Sequence, residues 1–430
     1  MEKPRRELKE SKAYWERATK VIMDGTQLYS KGPMINIFGV APTYLRRGRA
    51  GHVWDVDGNE YIDYTSGVGS VILGYGYPRV NAAITKQLED GTNLGLIHPL
   101  EVEVAELLCE VVPCAEMVRF MKTGGGATTA AVRLARAYTG RDVVIKGEYH
   151  GWHDWAMASA KRNAGIPRAL AGTVFYAEYN DIEAVKRLFR EHKDQIAAVI
   201  TEPVQLEPPK AGYLEQLRDI AHQNGALLIF DEVVSGFRFA LGGAQEYFSV
   251  TPDLACFGKG MSNGMPLSAV VGRREIFKQV QDRIFMSTTF GGEMLSLAAA
   301  LANIQEIRDQ PVLERVWALG RRLQDGANAL AKKIGVNLKC IGYPPRILVV
   351  APTSAGEEDI LLKSLFLQET VKRGVLMAWQ MFPMYTHTDE DIDRTLEVFD
   401  AAMGVCKQAV ESESVMSFLE GPPVKWVEVL

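Results

Sequence analysis

Two side chains in this sequence have types and neighbours that suit covalent chemistry. Asp231 closes the apolar run Ala226-Leu227-Leu228-Ile229-Phe230, and Lys259 follows the apolar run Leu254-Ala255-Cys256-Phe257 across Gly258. Apolar runs of this length, bounded by turn residues, predict strands of a parallel sheet covered on both faces. Open α/β sheets receive their ligands at the carboxyl ends of such strands. A lysine amine and a carboxylate placed there share one use: the lysine forms a Schiff base with an aldehyde, and the acid holds a proton on a pyridine nitrogen. That is the chemistry of a pyridoxal phosphate site. A salt bridge at a sheet rim, with glycines as ordinary turn formers, fits the same spacing. Neighbouring motifs must decide.

Lys122-Thr123-Gly124-Gly125-Gly126-Ala127 lies between a predicted strand and a predicted helix. Backbone N–H groups, a hydroxyl and a positive helix end there would cradle one phosphate group. The stretch is not a nucleotide loop, because no Gly-Lys-Ser/Thr follows and no GxGxxG precedes a ribose-binding acid. Tyr149-His150-Gly151-Trp152-His153 follows another strand, and Tyr149 or Trp152 could cover one face of a planar ring. A packed aromatic cluster with His150 satisfied in the core is the plain alternative. Glu202 follows the run Ile196-Ala197-Ala198-Val199-Ile200-Thr201. Ser287-Thr288-Thr289-Phe290-Gly291-Gly292 is a hydroxyl-rich turn before a helix, again suited to phosphate. Convergence of these sites favours a cofactor over packing. His150 and His153 could suggest a metal, but no Cys or Glu cluster completes a ligand set, so none is expected.

The elements that must position these residues alternate. From about residue 67 to 300 the pattern is strand, turn, helix, which predicts a mostly parallel sheet with right-handed crossovers. Before it, His52 to Thr65 alternates around Asp57-Gly58 and predicts a hairpin. Residues 24–42 are rich in Gly, Pro and Tyr and read as an extended loop. After it come amphipathic helices, a strand over RILVVAP (346–352) and a closing helix over 389–410, with Thr388 and Asp391 as its capping box. The expected organisation is a small-domain part at 1–66, a large domain at 67–305 and a second small-domain part at 306–430.

A chain of 430 residues that is 47% hydrophobic has ample material for a large α/β domain and a smaller one. The net charge of −5, with Lys and Arg scattered singly, argues against a nucleic-acid surface. No stretch is long and apolar enough to span a bilayer, and the Glu-containing amino terminus reads as a surface helix, not a leader. The five cysteines are scattered through apolar runs and look like reduced core residues, so a cytoplasmic protein is expected.

The order of motifs resembles the class III, fold-type I pyridoxal phosphate aminotransferases, and within them the glutamate-1-semialdehyde 2,1-aminomutase branch. The matching stretches are WDVDGNEYIDY, RLARAYTGRD, YHGWHD, IAAVITEPV, LLIFDEVVSGFR, GGAQEYF and TPDL, across about Trp54 to Val405. The resemblance implies a large domain with a mostly parallel seven-stranded-type sheet and a smaller α+β domain built from both termini. It implies pyridoxal 5′-phosphate as cofactor, Lys259 as the Schiff-base lysine and Asp231 as partner of the ring nitrogen. Val233 would lie beneath the ring and Tyr149 above it. Thr123, Gly124 and Gly125 match the phosphate turn, Glu202 a carboxylate near the ring substituents, and His150 a motif residue. Thr289 matches a threonine that reaches the neighbouring subunit's phosphate, which implies a homodimer with shared sites.

Departures from the aminomutase pattern concern the substrate. That branch takes the substrate carboxylate with an Arg in a Pro-Val-Arg motif, whereas here residues 32–38 read Gly-Pro-Met-Ile-Asn-Ile-Phe and only Lys31 is cationic nearby. The Glu that partners the Arg is missing from residues 378–385, and Val68 stands near a tryptophan position. Gly126 and Glu293 replace a Glu and an Asn. Asn36, Val68, Trp379 and Gln380 are the candidate substrate-pocket residues. A carboxylate buried without a compensating charge is costly, so a larger aldehyde, ketone, keto-sugar or aromatic oxo acceptor is expected. The reading is a ping-pong aminotransferase working on a small-molecule amino donor and a carbonyl acceptor. The aminomutase, a racemase or decarboxylase on the same scaffold, and a catalytically silent binding protein are the alternatives.

Overall fold

The computed structural model describes residues 7–205 and 207–425. Contacts divide them into two units, one made of 7–77 with 314–425 and the other of 78–313. The boundaries expected at 66/67 and 305/306 lie inside these limits for a local reason. Residues 67–77 stay with the amino-terminal strands because Ala50 and Tyr75 exchange both backbone hydrogen bonds and the Tyr385 N–H donates to the Ile72 carbonyl. At the other edge, one unbroken helix runs Met294–Asp309.

The amino-terminal part of the first unit begins with a helix at Lys9–Ala18. Residues 24–42 are not one extended loop: 3-10 turns form at Met23–Gly25, Tyr29–Lys31 and Pro33–Ile35. Gly and Pro block a longer helix but permit isolated i to i+3 bonds, such as Gly32 N–H to the Tyr29 carbonyl. Strands β1 (Leu45–Arg49), β2 (His52–Asp55) and β3 (Glu60–Asp63) follow. β2 and β3 form the expected hairpin, and β1 adds an edge strand that its three arginines hid from a hydrophobic pattern.

In the second unit, strands β4 (Met117–Met121), β5 (Val143–Lys146), β6 (Val174–Tyr176), β7 (Ile196–Thr201), β8 (Leu227–Asp231), β9 (Leu254–Phe257) and β10 (Ser268–Gly272) make one seven-stranded sheet. Its order is β4-β10-β9-β8-β7-β5-β6. β10 is antiparallel to both neighbours, so β4 points the same way as β9. β9, β8, β7, β5 and β6 are mutually parallel. The carboxyl ends of β4, β5, β7, β8 and β9 therefore share one sheet edge. β7, β8 and β9 are buried at every residue, which is why they read as unbroken apolar runs.

Helix Gly124–Thr139 lies against this sheet through Ala127, Ala130, Ala131, Leu134 and Ala135. Four of the five residues of that i, i+3, i+4 stripe are alanines, and it makes the apolar face that the helix buries. Gly140, at φ +71°, ends it in a left-handed cap.

The remainder of the first unit holds β11 (Lys339–Tyr343), β12 (Arg346–Val350), β13 (Val375–Leu376) and β14 (Gln380–Met381). β11, β12 and β14 form a small antiparallel sheet, while β13 runs parallel to β3. Their core packs on helices Ile360–Lys372 and Asp389–Glu411, where Phe366 and Phe399 meet edge to face at 5.0 Å. The Thr388/Asp391 capping box is present. As far as it is described, the tail after Glu411 packs back on this unit. Val424 packs on this core, its N–H donates to Ser364 Oγ, and the Lys425 N–H donates to the Met34 carbonyl. Residues 426–430 lie outside the described residues.

Candidate active site

All the residues expected to carry chemistry belong to the second unit. The strand edge brings together Thr123 after β4, His150 after β5, Glu202 after β7, Asp231 at the end of β8 and Lys259 beyond β9. In the β8–β9 register Asp231 faces Cys256, so Lys259 enters from the next strand just past the acid.

Asp231 is the best-defined member. It is buried, its Oδ2 stands 2.8 Å from Nδ1 of the buried His150, and its Oδ1 accepts the Val233 N–H at 3.1 Å. The other nitrogen of that imidazole, Nε2, is buried and has no hydrogen-bond partner among the described residues. Unpaired buried polar atoms are uncommon and need a reason. His150 is held from behind as well: the Thr128 hydroxyl donates to its carbonyl at 2.7 Å. His153 turns away to Thr129, whose hydroxyl also accepts from the Trp155 indole N–H. The two imidazoles thus point to different partners, His150 to Asp231 and His153 to Thr129 and, edge to face at 5.3 Å, to the Trp152 ring.

The glycine turn is shaped by close approach. A Cβ on Gly124 would come within 2.9 Å of both Val233 methyls, and one on Gly151, at φ +105°, would meet the Gly125 Cα at 2.7 Å. Three segments therefore converge where only glycine backbone fits. Thr123 is the N-cap of helix Gly124–Thr139; its Oγ accepts the Gly126 N–H at 3.1 Å, and its carbonyl accepts the Ser268 hydroxyl at 2.7 Å. Gly124 and Gly125 present their amides at the positive helix end. Gly126 has its own reason: a Cβ there would crowd Thr123 Oγ at 3.2 Å.

Lys259 is half-buried and opens a 3-10 turn, Lys259–Ser262, with φ +36°, a left-handed backbone for a residue with a side chain. Val233 and Glu202 are half-buried, while Tyr149 is exposed. Thr289 is exposed between the exposed rings Phe285 and Phe290. It does not stand at a strand end, since helix Arg274–Val280 intervenes after β10.

Sequence reasoning missed Glu232 and Lys146 and gave Glu293 no role. Glu232, next to Asp231, is fully buried and accepts from Ser235 Oγ and from the Ala244 and Gln245 N–H groups at 2.7 and 2.8 Å. It ties the loop after β8 to residues 243–245, and burial pushes its carboxyl up from the ordinary range. Lys146 ends β5 fully buried, with Nζ 3.3 Å from the Glu148 carbonyl; burial pulls its ammonium down to about 8. Glu293 caps helix Met294–Asp309 through the Leu295 and Ser296 N–H groups and holds Lys122 Nζ at 2.9 Å. Burial opposes its charge, but the Ser296 hydroxyl and Lys122 keep its carboxyl below the usual value. An acid directly before a helical pattern was the available signal for Glu293.

The candidate substrate residues Asn36, Val68, Trp379 and Gln380 all belong to the first unit. Val68 has φ +62°, between Gly67 at +58° and Gly69 at +77°. Asn36 has a buried Oδ1 without a partner among the described residues. Gln380 pairs with Leu348, and the Trp379 carbonyl accepts the Val349 N–H. Lys31 is exposed.

Comparison with known proteins places these features in context. The family model "Aminotransferase class-III" matches residues 39–403. A glutamate-1-semialdehyde 2,1-aminomutase of Acetivibrio thermocellus is 39% identical over 415 residues, covering 91% of this chain and 96% of that protein. A 3-aminobutyryl-CoA aminotransferase of Cloacimonas acidaminovorans is 33% identical over 410 residues, covering 93% and 98%. Among solved structures, the pyridoxal phosphate-bearing form of the FumI protein of Sphingopyxis sp. MTA144 superposes with a TM-score of 0.88 at 28% identity, covering 96% of this chain and 98% of that one.

Proposed function

This chain belongs to the class-III aminotransferase family, and from that premise we propose that it moves amino groups with pyridoxal 5′-phosphate held by Lys259 and Asp231. The observation that carries the reading is the buried Asp231–His150 pair at the strand edge that also delivers Lys259. The residues suit this cofactor. Gly124, Gly125 and the helix end they open would take the phosphate, Val233 and Tyr149 would flank the ring, and Glu202 would stand near its substituents. The cofactor, when bound, supplies an electron sink for charge formed at the amine-bearing carbon.

The chain's own groups do the rest. Asp231, oriented by His150 Nδ1, would keep a proton on the ring nitrogen. Lys259 Nζ would take the proton from the substrate carbon and return it to the cofactor's C4′, the positioned general base such a step needs. Glu232 fixes the loop that carries Asp231 and Val233 through four hydrogen bonds.

Of two finer readings, the aminomutase has the better support, ahead of the two-substrate aminotransferase expected from the sequence. The names of the similar curated proteins favour an aminomutase, which shifts an amino group within one substrate. A 33%-identical relative favours transfer between two molecules, and so does the absence of any Arg from residues 24–44, where Lys31 is the one cation. Borohydride reduction of protein purified with the cofactor should leave the pyridoxyl group on Lys259 by peptide mass spectrometry; an unmodified Lys259 peptide sinks the proposal. An aminomutase turns over glutamate-1-semialdehyde with no second substrate, whereas a transferase stops after one equivalent until a carbonyl acceptor is added.

The exposed Phe285 and Phe290 beside Thr289 support a homodimer in which Thr289 serves the partner's cofactor. All five cysteines are free, in keeping with a reducing, cytoplasmic setting. Among the described residues no helix is long and apolar enough to cross a membrane.

A further inference from the structure

Lys259 needs a cause for its backbone. A left-handed φ of +36° at a residue with a Cβ persists only where the surroundings hold it. The next two peptide carbonyls, those of Gly260 and Met261, are held by a single side chain. Asn303 Nδ2 donates to them at 2.8 and 2.9 Å. Asn303 is fully buried in helix Met294–Asp309, and its Oδ1 has no partner among the described residues. The amide cannot be turned the other way, because that would set an oxygen against two carbonyl oxygens. One donor group is thus used twice on the Lys259 turn while its acceptor is left unpaired in the core. Packing alone would be met as well by an apolar side chain of the same volume.

The helix carrying Asn303 is itself fixed to the phosphate turn. Its N-cap, Glu293, holds Lys122 Nζ at 2.9 Å, one residue before Thr123. Farther along, Glu306 on the same helix pairs with Arg79 at 2.6 Å. A continuous set of contacts therefore runs from the end of β4, through the helix, to the turn that presents the amine.

We propose that Asn303 is a positioning residue for Lys259, setting the direction in which its amine meets an aldehyde without contributing to how the cofactor's phosphate is held. The inference rests on Lys259 being the covalent lysine, and its test separates the two claims. Cofactor-free protein is mixed with pyridoxal 5′-phosphate, quenched with borohydride over time, and the Lys259 adduct is quantified by mass spectrometry. Equilibrium dialysis with pyridoxamine 5′-phosphate, which has no aldehyde to react, measures the pocket alone.

In Asn303→Leu and in the isosteric Asn303→Asp, adduct formation should slow by about 10- to 100-fold, while pyridoxamine phosphate affinity stays within about twofold. Either variant suffices if the other does not accumulate. Unchanged adduct rates overturn the inference, and so does a parallel loss of both readouts, which would make Asn303 a general packing residue. Absence of the Lys259 adduct in the unmutated protein would instead remove the reading on which the inference stands.

Discussion

Of the buried aspartates that end strands, two can be compared, one from each unit. Asp63 ends β3 and Asp231 ends β8; both are buried. Asp63 is closed in upon itself. Its carboxylate accepts from the Thr65 and Ser66 N–H groups at 2.9 and 3.1 Å and from Tyr75 Oη at 2.6 Å, and burial raises its pKa. Its carbonyl takes the Nε2–H of His387, whose Nδ1 accepts the Met384 N–H. Asp231 also meets a histidine, but that imidazole keeps a buried nitrogen unpaired. A saturated polar node stabilises a fold; a node with unused capacity can meet a ligand. The strand-end carboxylate is common to both, and the neighbours decide which it becomes.

The sharpest contrast comes from removing the amine beside one of the nodes. Lys259→Ala should lower turnover by at least about 10³-fold while pyridoxamine phosphate still binds, since covalent attachment and proton transfer are both lost. Full activity in that variant would refute the assignment. Asp231→Asn keeps the shape and removes the charge, so turnover should fall by roughly 10²–10⁴-fold with a melting temperature close to that of the parent. Asp63→Asn should do the reverse: a loss of about 1–3 kcal/mol by denaturant titration, with kcat of the folded fraction little changed. If the two substitutions behave alike, the distinction between the nodes is wrong.

The histidine of the closed node gives a pH test. Burial lowers the His387 pKa to about 4, the nearby Asp391 opposing and His52 adding to the effect. Because its folded value lies below the ordinary 6.5, the unfolded chain binds the proton more readily between those values. Stability should fall as the pH drops from 6.5 towards 4, by about 3 kcal/mol in all. His387→Gln should flatten that part of the melting profile; an unchanged slope would count against it. The smallest effect is expected at Glu293→Ala, which removes a helix cap for about 0.5–2 kcal/mol and releases Lys122. Its melting temperature should fall without the large kinetic loss of Asp231→Asn.

Legibility followed the range of the interactions. The strands β7, β8 and β9 are buried on both faces, so their composition announced them, and Asp231 and Lys259 were readable as the first charges beyond. β1 was not readable, because an edge strand with three arginines has no hydrophobic period. Residues 24–42 were read as extended because Gly and Pro mark breaks without specifying the short turns between them. The partner of Asp231 could not be foreseen from spacing, since His150 is 81 residues away and arrives from a strand two places along the sheet. Glu293 and Asn303 lie on a helix whose apolar pattern says nothing about which backbone its polar side chains grip.

The amino-acid order alone determined the alternation of strand and helix, the amine and acid at neighbouring strand ends, and the glycines that permit close approach. These follow from burial and backbone sterics, which act over a few residues. Tertiary structure decided which buried acid is saturated and which is left open, and which amide holds the turn at Lys259. Hydrogen bonds depend on distance and direction between groups far apart in the chain, and only the folded sheet sets those.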